Sequence, residues 1–121
     1  LKEVSSSKDE IEKIIQDIKS RRDSWLLSRR RKNIVTLTEL GLDQEEIFEI
    51  IIENLSWTDY VQGPELDDHE PSIPGNIWIF GLNIENNELY LKFQDRPTGI
   101  VVWISIHKAA YRLNYPYKLG E

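Results

Sequence analysis

The chain has 121 residues and no cysteine, which excludes disulfide bridges and thiolate metal sites. That absence fits a cytoplasmic protein. Methionine is missing too, so Leu1 is not a translated start, and the native N-terminus is expected to be missing or trimmed. No apolar run reaches the ~18 residues of a membrane-spanning helix, so no membrane partner is expected. Residues 1–9 are polar and helix-initiating, unlike a secretory signal. Only His69 and His107 are present, and they lie too far apart for a metal-spaced histidine motif. Glycine-rich phosphate loops and a serine-nucleophile elbow are also absent. Neither a cofactor nor a metal is expected.

Charge is scarce in one sign only. The net charge of −6 argues against indiscriminate nucleic-acid binding. Its distribution is uneven. Lys19, Arg21, Arg22, Arg29, Arg30, Arg31 and Lys32 face a single acid, Asp23, in the same stretch. Such a cluster is either a local phosphate holder or a solvated junction between helices. Glu65-Leu-Asp-Asp-His-Glu70 is the acidic counterpart. Asp67, Asp68, His69 and Glu70 carry metal-ligand chemistry, but adjacent loop acids commonly bind nothing, and a solvated loop is the simpler reading.

The length suits one domain. Ser7-Lys-Asp-Glu10 has the pattern of a capping box, and Ile11, Ile14, Ile15 and Ile18 follow at helical spacing. Trp25, Leu26 and Leu27 are expected to cover a junction. Ser28 is expected to cap a second helix with Ile34, Leu37 and Leu40 inside and Gly41 at its end. Asp43-Gln-Glu-Glu46 opens a third helix carrying Ile47, Phe48, Ile50, Ile51 and Leu55. Ser56 caps a short turn over Trp57–Tyr60. The predicted layout is helical over 7–60, loop over 61–75, antiparallel sheet over 76–107 and a tail over 108–121. Helices followed by a β-meander make an α+β domain, with the helices on one sheet face.

Strand pairing follows from turn chemistry. Asn86-Asn87 suits a two-residue type I′ turn, which sets Ile84 opposite Leu89, Leu82 opposite Leu91 and Phe80 opposite Phe93. Asp95–Gly99 closes a second hairpin, bringing Leu91 near Val102 and Leu89 near Ile104. Alternation then gives one face Trp78, Phe80, Leu82, Ile84, Leu89, Leu91, Phe93, Ile100, Val102, Ile104 and Ile106. The other face receives Gly81, Asn83, Tyr90, Lys92, Gln94, Trp103, Ser105 and His107.

The first set is a core and the second is where chemistry belongs. Metal-free phosphodiester cleavage needs a base, a cation beside the phosphate and an acid for the leaving oxygen. Histidine as a residue type serves as either base or acid near neutral pH, which makes His107 the candidate for proton transfer. Lys92 supplies charge, and Tyr90 donates a proton or stacks on a base. Tyr111, one helical turn past His107, is expected to return beneath it. Trp103, Lys108, Tyr111 and the Arg29, Arg30, Arg31, Lys32 run are candidate RNA contacts. The plainer alternative for His107 is a strand-end residue satisfying local hydrogen bonds. Tyr115-Pro-Tyr117 is expected to pack as a tail on the sheet edge.

Glu39-Leu-Gly-Leu42, Leu55-Ser-Trp-Thr-Asp-Tyr60, Leu89-Tyr-Leu-Lys92 and Val102-Trp-Ile-Ser-Ile-His107, in that order, carry a likeness. From Asn33 onward the chain resembles the MqsR family of bacterial toxins from type II toxin–antitoxin modules, within the broader RelE-like ribonuclease fold. The resemblance implies a small α+β endoribonuclease that cleaves mRNA without metal and is neutralised by a cognate antitoxin protein. It places the family's active-site tyrosine at Tyr90. The sequence departs from the family at Gln62, where better-known members have lysine, and at His107, where their last strand ends in lysine. The loop glutamine of those members has no clear counterpart before Asn76. Lys92, Lys108 or the Arg29–Lys32 cluster are the available replacements for the missing cation. A non-catalytic protein-interaction module on the same fold is the alternative, favoured by the acidic net charge and by Gln62.

Overall fold

The computed structural model describes residues 5–118. The expectations for the chain start and the end of the tail fall in part outside the described residues. Three helices, α1 (Lys8–Ser20), α2 (Arg31–Leu40) and α3 (Gln44–Asn54), accompany five strands. The strands are β1 (Trp25–Leu27), β2 (Tyr60–Glu65), β3 (Asn76–Ile84), β4 (Asn87–Asp95) and β5 (Val101–Lys108). They form one sheet in the order β1-β5-β4-β3-β2. The β1–β5 pair is parallel and the other pairs are antiparallel. This is the expected α+β arrangement. Among the described residues no helix is long and apolar enough to cross a membrane.

Local chemistry sets the helix ends. Ser7 with Glu10 and Asp43 with Glu46 form reciprocal capping boxes, satisfying amides that the first turn leaves bare. Gly41 ends α2 in the left-handed conformation at φ 70°. Ser28 does not cap α2. Arg30 holds that position, and the Ser28 amide instead donates to the Trp103 carbonyl, continuing the β1–β5 pairing. Trp25–Leu27 therefore make a strand rather than a junction cover. Ile11, Ile15 and Ile18 of α1 and Ile47, Phe48 and Ile51 of α3 bury one sheet face, meeting Phe80, Leu82, Leu89, Leu91 and Phe93.

Three details differ from the sequence reading. The β3–β4 turn is Glu85-Asn86, at φ 50° and 66°, not Asn86-Asn87. Partners move by two residues, to Leu82–Leu89, Phe80–Leu91 and Trp78–Phe93. An even shift leaves each side chain on its expected face. Next, residues 60–65 are a strand and not part of the loop. Gly63 hid it: its φ is 128°, and a Cβ there would press on the Ile77 carbonyl and the Trp78 backbone.

The third difference matters most. Phe93 pairs with Trp103 but Lys92 pairs with Ser105, so Ile104 is an extra residue in β5. This bulge flips parity along the first half of the strand. Trp103 is 0% exposed and packs against Trp25 and Phe93, so it lies in the core and not, as expected, on the face with Tyr90, Lys92 and His107. Val102 takes the opposite face, and Ile104 is half-buried. Leu91 faces Ile106 and Leu89 faces Lys108, not Val102 and Ile104. The energetics favour the bulge. Burying an indole removes roughly 150–250 Å² from water, about 4–6 kcal/mol, against about 1.5–3 kcal/mol for a valine. With one inserted residue, Trp103 and Ile106 both point inward.

The bulge exposes backbone polar groups, and α2 receives them. Asn33 Nδ2 donates to the Ile104 carbonyl at 3.0 Å, and its Oδ1 accepts the Ile106 amide at 2.9 Å. Thr36 Oγ1 accepts the Lys108 amide at 3.2 Å. The α2 side chains thus continue the edge of β5 where β1 stops. Asn33, Thr36 and Leu37 are the buried positions of α2, while Ile34 and Leu40 are only partly buried.

Candidate functional site

The sheet face turned away from α1 and α3 lies between a loop and the tail, and is called the trough for that flanking. Gln62 and Glu65 of β2 pair with Ile79 and Ile77, while Tyr90, Lys92 and Gln94 come from β4 and Ser105 and His107 from β5. One end is closed by the loop before β3, because Gln94 Nε2 donates to the Ile73 and Gly75 carbonyls at 2.9 and 3.0 Å. The other end is crossed by the tail. Leu113 and Tyr115 lie over Gly81 so closely that any Cβ there would overlap them. The Tyr115 hydroxyl donates to Glu88 at 2.7 Å. Beyond the trough, Tyr117 reaches the Ser6 carbonyl at 2.6 Å, and Lys118 pairs with Asp59 at 3.2 Å. The tail therefore straps the face, where a simple edge packing was expected.

The centre of the trough brings together the residues singled out from sequence. Tyr90 and His107 are direct cross-strand partners, and their rings stack at 5.4 Å with 25° between planes. Lys92 is opposite Ser105 and makes no ion pair among the described residues. Arg30 donates to Ser105 Oγ at 3.0 Å, setting a guanidinium beside this centre. His107 Nδ1 lies 3.0 Å from the Lys108 carbonyl. A carbonyl only accepts, so that bond requires the proton on Nδ1, and the neutral ring then presents the Nε2 lone pair.

Tyr90 holds its proton above the usual phenol range. Partial burial is the main cause, with the Glu65 carboxylate and Tyr111 adding to it and Arg30 opposing. At neutral pH it is a hydrogen-bond donor. From the sequence Glu65 reads as part of an acidic loop rather than as a strand residue near Tyr90, because Gly63-Pro64 masks its strand. Asn33 and Thr36 were missed too, although polar residues three apart on the same stripe as Leu37 were the available signal.

The remaining candidates separate. Arg31, Lys32 and Lys108 line a pocket of about 330 Å³ with Val35, His107 and Ala110. Lys108 also pairs with Glu39 at 2.9 Å. Tyr111 is 82% exposed in a stretch with no helix, so it does not return beneath His107. Arg29 is exposed, with no polar contact tying it to the trough. Gln62 donates to Glu65 at 2.7 Å.

Asp67, Asp68 and His69 bring donor atoms within 4.8 Å of one another. Asp67 is already engaged as a loop staple. It accepts from the Ile73 amide, the His69 amide and the His69 ring. The Ile73 amide is the main reason its carboxyl sits below the usual range. These bonds account for the cluster without a bound ion. No family model, curated protein or solved structure matches the chain.

Proposed function

We propose that the chain is a toxin-like endoribonuclease that cleaves mRNA without metal and is neutralised by a cognate antitoxin. The observation that carries this reading is the stacked Tyr90–His107 pair on the sheet face turned away from α1 and α3, partly open and flanked by Lys92 and Arg30. His107 Nε2 accepts the proton of a ribose 2′-hydroxyl. The 2′-oxygen bonds to phosphorus, and the bond to the 5′-oxygen breaks. Lys92 and Arg30 balance charge on the phosphoryl oxygens. Tyr90, kept protonated, donates to the phosphate or the departing 5′-oxygen. The products are a 2′,3′-cyclic phosphate and a 5′-hydroxyl. The likeness to MqsR-family toxins supports the same assignment.

A second reading has its own support. Glu65 adds negative charge beside Tyr90, and Gln62 stands where the resembled family has lysine. Both suit a non-catalytic module that binds a regulatory protein. Purified protein incubated with mRNA in excess chelator separates the two. The nuclease yields 5′-hydroxyl fragments with cyclic-phosphate ends, and its expression arrests growth until the neighbouring gene is co-expressed. Intact RNA together with harmless expression contradicts it.

A further inference from the structure

His107 borders two spaces. One is the trough, where it stacks on Tyr90. The other is the pocket between the start of α2 and the end of β5. We infer that this pocket is a nucleotide subsite, taking the base and phosphate of the nucleotide next to the bond that is cut. The inference rests on the nuclease reading for its place in the reaction, but not for its chemistry.

The pocket combines two recognition elements. Val35 and Ala110 offer apolar surface, and Val35 is one of few large exposed apolar side chains, at 40%. A lone exposed valine is ordinary. This one lies among Arg31, Lys32, Lys108 and His107. Arg31 and Lys32 make no ion pair among the described residues, and Lys108 has Glu39 alone. On a chain of net charge −6, three cations with a single acid among them around an apolar floor suit a ligand that is itself anionic and flat. A nucleotide has that character: the base lies over Val35 and Ala110, and its phosphate meets the arginine and lysines. The volume of about 330 Å³ seats one such residue. Because His107 forms the shared wall, a nucleotide seated here delivers the neighbouring ribose to the histidine. The pocket is thus a specificity element, and cleavage position is set by which base fits over Val35.

Isotope-labelled full-length chain titrated with 5′-AMP, 5′-GMP, 5′-CMP and 5′-UMP, and separately with ribose 5-phosphate, tests this. The expected result is saturable movement of the Val35, Lys108 and Ala110 amide resonances. At least one nucleotide should bind about tenfold more tightly than ribose 5-phosphate. Ala110→Leu, at an exposed position, should weaken that binding about tenfold and change the base preference beside the cut. Lys32→Glu should weaken all four nucleotides together. Equal binding of ribose 5-phosphate, or no saturable shift with any nucleotide, overturns the subsite. Cleavage assays on the same samples keep the two proposals apart. Nucleotide binding with intact RNA leaves the subsite standing and removes the nuclease. Cleavage with no nucleotide response does the reverse.

Discussion

The two faces of this sheet are built from the same strands and held by opposite means. Toward α1 and α3, Phe80, Leu91, Phe93, Trp103 and Ile106 are fully buried, and contact with the helices is continuous. On the other side, Tyr90, Lys92 and His107 stay partly open between a loop at one end and a tail at the other. The apolar face is secured by area, which is non-directional and tolerant of detail. The trough is secured by individual hydrogen bonds, each requiring a particular atom. The difference teaches where each kind of substitution registers: in stability for the first face, in chemistry and local order for the second.

Trp103→Ala is the largest test of that division. With its indole in the core, the variant should lose about 3–5 kcal/mol in urea unfolding. A loss near that of an exposed residue would return Trp103 to the trough and remove the bulge from the account. Asn33→Ala comes next, at about 2–3 kcal/mol, because it strips partners from the Ile104 carbonyl and the Ile106 amide together. Since His107 follows Ile106 directly, this variant should also lose cleavage beyond what its unfolding explains at the assay temperature.

Gly81→Ala sharpens the contrast from the other side. Its methyl collides with Leu113 and Tyr115, so the strap should lift while the core stays packed, costing about 1–2 kcal/mol. Limited proteolysis should then cut within residues 109–118 well before the rest of the chain. Smallest is the alkaline behaviour of the strap. Tyr115 holds its proton above the ordinary phenol range, first through burial and then through its bond to Glu88. A folded pKa above the unfolded one means full stabilisation below about pH 10, lost as pH rises toward the folded value. Tyr90 contributes in the same direction in both proteins, so wild type should lose more stability in that window than Tyr115→Phe does. At neutral pH the variant should be weaker by about 0.5–1.5 kcal/mol. An alkaline melting series on both proteins checks this, and parallel curves would contradict it.

The helices were legible because capping residues state their ends: Ser7, Asp43 and Gly41 did what their types allow. Parity along β3 and β4 was legible because hydrophobic alternation survives a two-residue register error. The fate of β5 was not. Trp103 and Ile106 lie three apart, and no local pattern says that both point inward. That outcome depends on Trp25 and Phe93, supplied by other strands, and on Asn33, which takes up the displaced backbone groups. The site divides in the same way. Tyr90 and Lys92 could be named from alternation in β4, and His107 because it lies past the bulge in β5. Glu65 near Tyr90, the bond from Arg30 to Ser105 and the pocket that joins Val35 to His107 link elements far apart in sequence, and only the assembled sheet brings them together.

The central proposal is that the partly open face around Tyr90 and His107 does the chemistry. His107→Ala, measured on mRNA and in a thermal melt of the same preparation, tests it directly. The account predicts cleavage lower by about 10²-fold or more with the melting temperature unchanged. Undiminished cleavage by a normally folded variant would contradict it.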